Sequence, residues 1–287
     1  LHLRYRKLLL PLSETQCGLA ALQLGLDAAQ LWQAHLAAVV MQVDARSVAP
    51  LAGEGLSGAM IEDMMAATER QSSTRASTLA RLFDEAVAAR GLVGAMRAGE
   101  ASAAFEVVTG RDEETVPGLA MLADLTVLPH PSDNEEQASP ECLHAVLFDS
   151  GRPVLIAPPE APGSIGRRCC VAWNGTVESS AALSAMLPWL QRAEAVVVLH
   201  APEYQRNGPA APAVLPYLAM HGVQATLQAF KPLNRDVGAG MLAAAAAFGA
   251  DLLGMGAYSH SRLRQMILGG VTRHVLQRAM IPVIMSR

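Results

Sequence analysis

Two stretches of this chain echo each other, and that internal repeat limits the fold more than any other feature of the sequence. Ala123-Asp124-Leu125, ahead of the apolar run Thr126-Val127-Leu128, returns as Ala250-Asp251-Leu252 ahead of Leu253-Gly254-Met255, at an offset of 127. Arg152-Pro153-Val154-Leu155-Ile156 returns as Ile281-Pro282-Val283-Ile284-Met285, at an offset of 129. The heads of the copies, Arg6-Lys7-Leu8-Leu9-Leu10 and Arg167-Arg168-Cys169-Cys170-Val171, stand 161 apart. The fall from 161 to 127 assigns 34 extra residues to the middle of the first copy, within about 45–101, where helical patterning dominates. Between the copies, residues 158–166 contain three prolines and two glycines, the composition of a linker. The expected domains are therefore 1–159 and 160–287.

Each copy alternates between the two hydrophobic periods. In the second, an apolar strand at 169–173 meets turn residues Asn174-Gly175-Thr176. A helix follows at about 178–190, with Leu183, Met186, Leu187 and Leu190 on one face. Strands are expected at 195–200, 223–230, 252–255 and 282–285, with helices at 213–221, 239–248 and 271–278. The first copy reads as strands 7–12, 36–42, 104–109, 125–128 and 153–157, with helices 16–32 and 113–122. Ser13-Glu14-Thr15-Gln16 has the spacing of a capping box ahead of the first helix. Regular βαβ alternation predicts an α/β fold: two doubly wound, five-stranded, mostly parallel sheets. Ligands of such sheets bind beyond the carboxyl ends of the strands, at the switch point of strand order. In the second copy that is where the loops at 174–176, 200–202 and 256–270 meet.

Composition excludes several classes. Hydrophobic residues make up 51% and charged residues 17%, enough apolar content for a sizeable core and unlike a disordered chain. A net charge of −4 and 4% aromatics argue against a cationic, base-stacking nucleic-acid surface. The apolar stretch at 238–256 is interrupted by Asp251 and reads as helix then strand, so no membrane association is expected. Cys17, Cys142, Cys169 and Cys170 have no zinc-ligand spacing and are far too few for a disulfide framework, which suggests a reducing compartment, the cytoplasm. Cys169 and Cys170 read as small buried apolar residues. His200, His221, His260 and His274 form no recognisable metal-ligand pattern, so no metal site is expected. Trp173 reads as a core or rim aromatic. No hydrolase elbow, P-loop or early dinucleotide fingerprint occurs. Met60, Met64 and Met65, with Leu79, Leu82 and Phe83, read as helix faces that pack on the first sheet or cover it.

The loop after the fourth strand of the second copy carries the strongest chemical signal. It opens as Gly256-Ala257-Tyr258-Ser259-His260-Ser261-Arg262-Leu263-Arg264, and Gly269-Gly270-Val271-Thr272 then begins a helix. A small-residue loop feeding a helix N-terminus can cradle a phosphate, with Arg262, Arg264 or Arg273 adding charge. The same residues also suit a plain strand-to-helix turn. This segment, continuing through Arg273-His274-Val275-Leu276 to Ile281-Pro282-Val283, resembles the universal stress protein family. Its nucleotide motif is Gly, two residues, Gly, nine residues, Gly, then Ser or Thr. Here the motif positions hold Gly256, Ser259, Gly269 and Gly270, so two match and two depart. Val171-Ala172-Trp173-Asn174-Gly175-Thr176 resembles the family's first strand and turn, with Asn174 where Asp is usual.

The resemblance implies a tandem protein of the adenine nucleotide α-hydrolase-like architecture. It further implies that the halves pair through their last strands, 153–157 beside 282–286, as a pseudo-dimer. Phosphate contacts would fall on Gly256, Ser259, Gly269 and Gly270. Asn174 would lie near adenine and ribose, and Ala201 would line the adenine pocket. The implied ligand is ATP or AMP, with Mg, in the second half. In the first copy the corresponding loop begins Pro129-His130-Pro131, whose prolines lack N–H donors, and continues through Asp133, Glu135 and Glu136, whose charges would repel a phosphate. That copy is expected to be a non-binding partner domain. No catalytic residues are assigned, and any ATP hydrolysis is expected to be slow and incidental. The implied role is binding and signalling in stress response, with an unidentified protein partner and a further homodimer left open. Two other readings stay open: a nucleotide-free interaction module of the same fold, and an α/β nucleotide-processing enzyme.

Overall fold

The computed structural model describes residues 4–42, 44, 58–94, 96–131, 140–258 and 270–287. The first half runs β1 (Lys7–Pro11), α1 (Gln16–Trp32), β2 (His35–Gln42), α2 (Gly58–Ala89), β3 (Ser102–Thr109), α3 (Asp112–Ala120), β4 (Leu125–Leu128), α4 (Pro140–Asp149) and β5 (Val154–Ile156). The second half runs β6 (Arg168–Ala172), α5 (Val177–Leu190), β7 (Ala195–His200), α6 (Val214–Met220), β8 (Thr226–Ala229), α7 (Val237–Phe248), β9 (Leu252–Gly256), α8 (Val271–Arg278) and β10 (Val283–Ser286). Strand order is β3-β2-β1-β4-β5 in the first half and β8-β7-β6-β9-β10 in the second, the same doubly wound order twice.

The two five-stranded units join edge to edge into one ten-stranded sheet. Every strand pair is parallel except the central one, β5 with β10. There Val154, Leu155 and Ile156 face Met285, Ile284 and Val283 in antiparallel register. An antiparallel pair of equivalent strands is what a local two-fold axis produces, and it hides two edges that would otherwise be open.

Both faces of the sheet are covered. One core lies under α1, α2, α5 and α6, with Leu8, Leu10, Cys169 and Val171 from the strands. The other lies under α3, α4, α7 and α8, with Leu9, Cys170, Val283 and Met285. Neighbouring strand residues thus alternate between cores, as the pleat requires. Each core draws residues from both halves. Where they meet, Trp32 at the end of α1 stacks edge-on against Trp189 of α5, with centroids 5.0 Å apart. Tyr5 lies 5.3 Å from Trp32, and its hydroxyl donates to the Ala185 carbonyl across the halves.

Some local expectations change. The α1 cap is Thr15, whose hydroxyl oxygen accepts from the Gly18 N–H at 2.9 Å. Ser13 instead hydrogen-bonds the Thr15 hydroxyl, so the box expected on Ser13 and Gln16 does not form. The 45–101 insertion contributes the 32-residue α2. Only Leu79 and Phe83 of that helix are buried, while Met60 and Met64 are exposed. The methionine turn therefore packs on neither core. Helix α4 was not anticipated, because prolines and acidic residues precede it. No helix among the described residues is long and apolar enough to cross a membrane.

Gly166 closes the linker at φ +78°, and a Cβ there would stand 2.4 Å from the Trp189 ring. Overpacking and left-handed strain add, so Gly166→Ala is expected to destabilise by about 2–4 kcal/mol. Chemical denaturation of the two proteins checks this. All four cysteines are free thiols, and only Cys17 is not buried. Burial raises every one of them, Cys142 and Cys170 to about 12. A raised pKa leaves little thiolate at neutral pH. Thiol titration should therefore find at most a single slow group in the native protein, Cys17, and all four after unfolding.

Candidate functional site

The carboxyl ends of β6 and β9 diverge at the switch point of the second half, and a cleft of about 840 Å³ opens there. That volume is in the range of small-molecule sites. Four of the six residues singled out from the sequence line it: Asn174, Ala201, Gly256 and Gly270. Ser259 and Gly269 lie outside the described residues, as do His260, Arg262 and Arg264. Arg273 lines the cleft as well.

The floor is built by the turn from β6 into α5. Thr176 caps α5: its hydroxyl oxygen accepts from the Ser179 N–H at 3.2 Å, and Ser179 Oγ accepts from the Thr176 N–H at 3.1 Å. Asn174 Oδ1 accepts from both the N–H and the hydroxyl of Thr176, at 3.2 and 2.9 Å. The Asn174 side-chain oxygen is therefore engaged within the turn, and Nδ2 is the donor of that amide. Its carbonyl accepts from the Arg206 N–H at 2.7 Å, and Trp173 Nε1 donates to the Pro209 carbonyl at 2.9 Å. These bonds hold residues 202–209 as one wall. Trp173 is buried and contributes its ring to the lining, so it belongs to both core and rim.

Gly256 has a steric task. A Cβ there would lie 2.6 Å from backbone atoms of Glu178 and Ser179, so the residue lets the end of β9 touch the first turn of α5. Gly270 differs: it is the N-cap of α8 at φ −103°, and a Cβ would meet nothing within 4 Å among the described residues.

Several lining groups were not visible as a set in the sequence. Asp236 caps α7, its Oδ1 accepting from the Ala239 N–H at 3.0 Å, while its Oδ2 meets His274 Nδ1 at 2.6 Å. Asn234 and Arg235 form the tip of a two-residue turn closed by Leu233 and Asp236, with φ of +50° and +67°. Such turns normally hold Asn-Gly, so Arg235 sits in a conformation unfavourable for its side chain. Tyr258 is also left-handed, at φ +54°. Its N–H donates to Thr272 Oγ1 at 3.3 Å, and its hydroxyl shares a 2.7 Å hydrogen bond with His144 Nε2 of α4, in the other half. Burial pushes the Tyr258 hydroxyl up to about 12, so it stays protonated there. The sequence signal that could have found Asp236 is an Asp ahead of an apolar helix; nothing marked its pairing with His274.

The charges of the lining are Arg206, Arg235 and Arg273 against a single carboxylate, Asp236, which His274 already engages. The cleft is suited to an anion. No group of three or more metal-ligating side chains occurs among the described residues.

Fold and cleft define a doubly wound α/β protein with its concavity at the topological switch point. Residues 167–287 match the Universal stress protein family model. A universal stress protein from Archaeoglobus fulgidus has the same fold over 99% of each chain, at 14% identity and a TM-score of 0.69. A putative universal stress protein from Pseudomonas aeruginosa matches over 98% of this chain and 93% of its own, at 15% identity and a TM-score of 0.54. A functionally unknown protein from Pseudomonas aeruginosa matches over 98% and 92%, at 15% identity and a TM-score of 0.56. No curated protein is similar enough in sequence to match. The chain thus shares its fold with universal stress proteins along its length, and residues 167–287 match that family's sequence model.

The two glycines should separate on substitution. Gly256→Ala forces backbone apart and is expected to cost about 1–3 kcal/mol or more. Gly270→Ser adds a capping hydroxyl that meets none of the described residues and should be neutral or stabilising by about a few tenths of a kcal/mol. Denaturant midpoints of both variants test the assignment.

Proposed function

We propose that the second half, residues 160–287, binds an adenine nucleotide, ATP or AMP, as a regulatory ligand, and that the chain acts in stress response without being an enzyme. In this reading the first half, residues 1–159, is a non-binding partner domain, and the protein works in the cytoplasm. The observation that carries it is a concentration of backbone strain. Among the described residues, four non-glycine positions have positive φ, and three of them, Asn234, Arg235 and Tyr258, line the one cleft. The fourth, Gln33, is an ordinary helix C-cap. Strain of this kind persists where the surroundings impose it, and it gathers at ligand sites.

The chemistry of the lining supports an anion with a flat apolar end. Arg235, Arg273 and the N-terminus of α8 offer charge and N–H donors to phosphate oxygens. Ala201, Leu199, Trp173 and the Asn174 amide offer an apolar slot with a donor to a base or ribose. The residues suit the nucleotide better than its ion: the one lining carboxylate is already committed to His274 and the α7 cap. Mg would therefore travel with the phosphates and take no protein ligand in the described lining.

The test is calorimetric titration of nucleotide-stripped protein with ATP and AMP, after chromatography of any nucleotide released on denaturation. About one nucleotide per chain is expected. Reversing Arg235 and Arg273 to Glu should weaken binding at least about tenfold, since a hydrogen bond to a charged group contributes about 1.5–3 kcal/mol. No co-purified nucleotide and no heat at millimolar ligand would overturn the reading, leaving a nucleotide-free interaction module as the better account.

A further inference from the structure

Asp236 and His274 come from different helices and meet only in the fold. Asp236 is the N-cap of α7, and His274 lies one turn into α8, its N–H donating to the Gly270 carbonyl at 3.1 Å. The contact is built. Asp236 divides its two oxygens between the Ala239 N–H and His274 Nδ1, which fixes the carboxylate against the ring. Gly238 leaves the room: a Cβ there would stand 2.8 Å from His274 Cβ and 3.0 Å from Cγ. A carboxylate only accepts, so Nδ1 carries the hydrogen of this 2.6 Å bond. Nε2 is then the atom whose protonation varies, and the residue borders the cleft.

We propose that His274 is a ligand-contacting residue of this cleft, held by Asp236, and that its Nε2 donates as an imidazolium to a terminal phosphate seated at the start of α8. The inference rests on the nucleotide reading above and adds to it which residue senses the phosphate. Asp236 is a positioning residue: it sets the ring's orientation and stays beside the cation that forms. The groups around the ring make proton uptake depend on the ligand. Arg235, on the turn before α7, and Arg273, on α8 itself, line the same cleft, as does Arg206 on the opposite wall. Lys231 lies further back before α7, Arg278 on the last turn of α8, and α7 carries no ionisable side chain. Among the described residues beside the ring, Arg235 and Arg273 oppose a further positive charge before ligand arrives, and Asp236 favours it. A bound phosphate reverses that balance, so binding draws in a proton.

The sign follows. If the imidazolium is the binding form, affinity falls as pH rises, and the comparison spans about pH 6 to about pH 8. The terminal phosphate of the ligand titrates in the same interval. The reading is therefore the difference between the protein and its His274→Gln variant, which keeps a donor but cannot gain a proton. Calorimetry with ATP and with AMP, in two buffers of different ionisation enthalpy, should give proton uptake by the wild type in excess of the variant. Across that pH range the wild type should lose about tenfold more affinity than His274→Gln. Asp236→Asn keeps the α7 cap, since Asn caps as well as Asp, and should also flatten the profile. Equal proton counts and parallel profiles in wild type and His274→Gln overturn the role of His274 and leave nucleotide binding standing. Absence of heat with both nucleotides at both pH values overturns this inference together with the function it rests on.

Discussion

Three residue pairs at the centre of the sheet hold the architecture together. Val154, Leu155 and Ile156 of β5 lie against Met285, Ile284 and Val283 of β10, all buried. Without that pairing each half would present an apolar strand edge to water, a template for uncontrolled association. With it, both cores run unbroken across the seam, and Trp32, Trp189 and Tyr5 close it from one side. The seam also sets α4 against the region of β9, which is how Tyr258 reaches His144.

Much of this was legible in the sequence because it depends on repeated local signals. The matched runs at Val154 and Val283 placed the two last strands, and alternating periods placed the others within a few residues. The order of elements then implied the switch point, and Asn174, Ala201, Gly256 and Gly270 do meet there. What could not be read depends on encounters between distant segments. Asp236 and His274 each look ordinary alone, one a helix cap and the other a lone histidine. Their contact exists because Gly238 lets α7 approach α8. Helix α4 escaped because the prolines and acidic residues before it suggest a loop. The methionines of α2 suggested core because they repeat at helical spacing, yet Met60 and Met64 are exposed and the helix is buried only at Leu79 and Phe83.

The meaning of Gly256 changes between the two levels. As one of a glycine series it suggests close approach to a phosphate. In the fold, the atoms it approaches are the backbone of Glu178 and Ser179. Gly270 is the reverse case, a glycine whose Cβ position is clear of the described residues. Substitution at Gly256 therefore reports on folding, while the arginines and His274 are the positions that test the proposed ligand.

The linker at 158–166 makes the two halves parts of one polypeptide. In an assembly of identical subunits every substitution appears twice, once at each copy of a site. Here it appears once. The first half could take in the long α2 and a proline-rich loop while the cleft of the second half kept its own geometry. The covalent join thus removes the symmetry requirement but keeps the symmetric sheet, and the two halves are free to specialise apart.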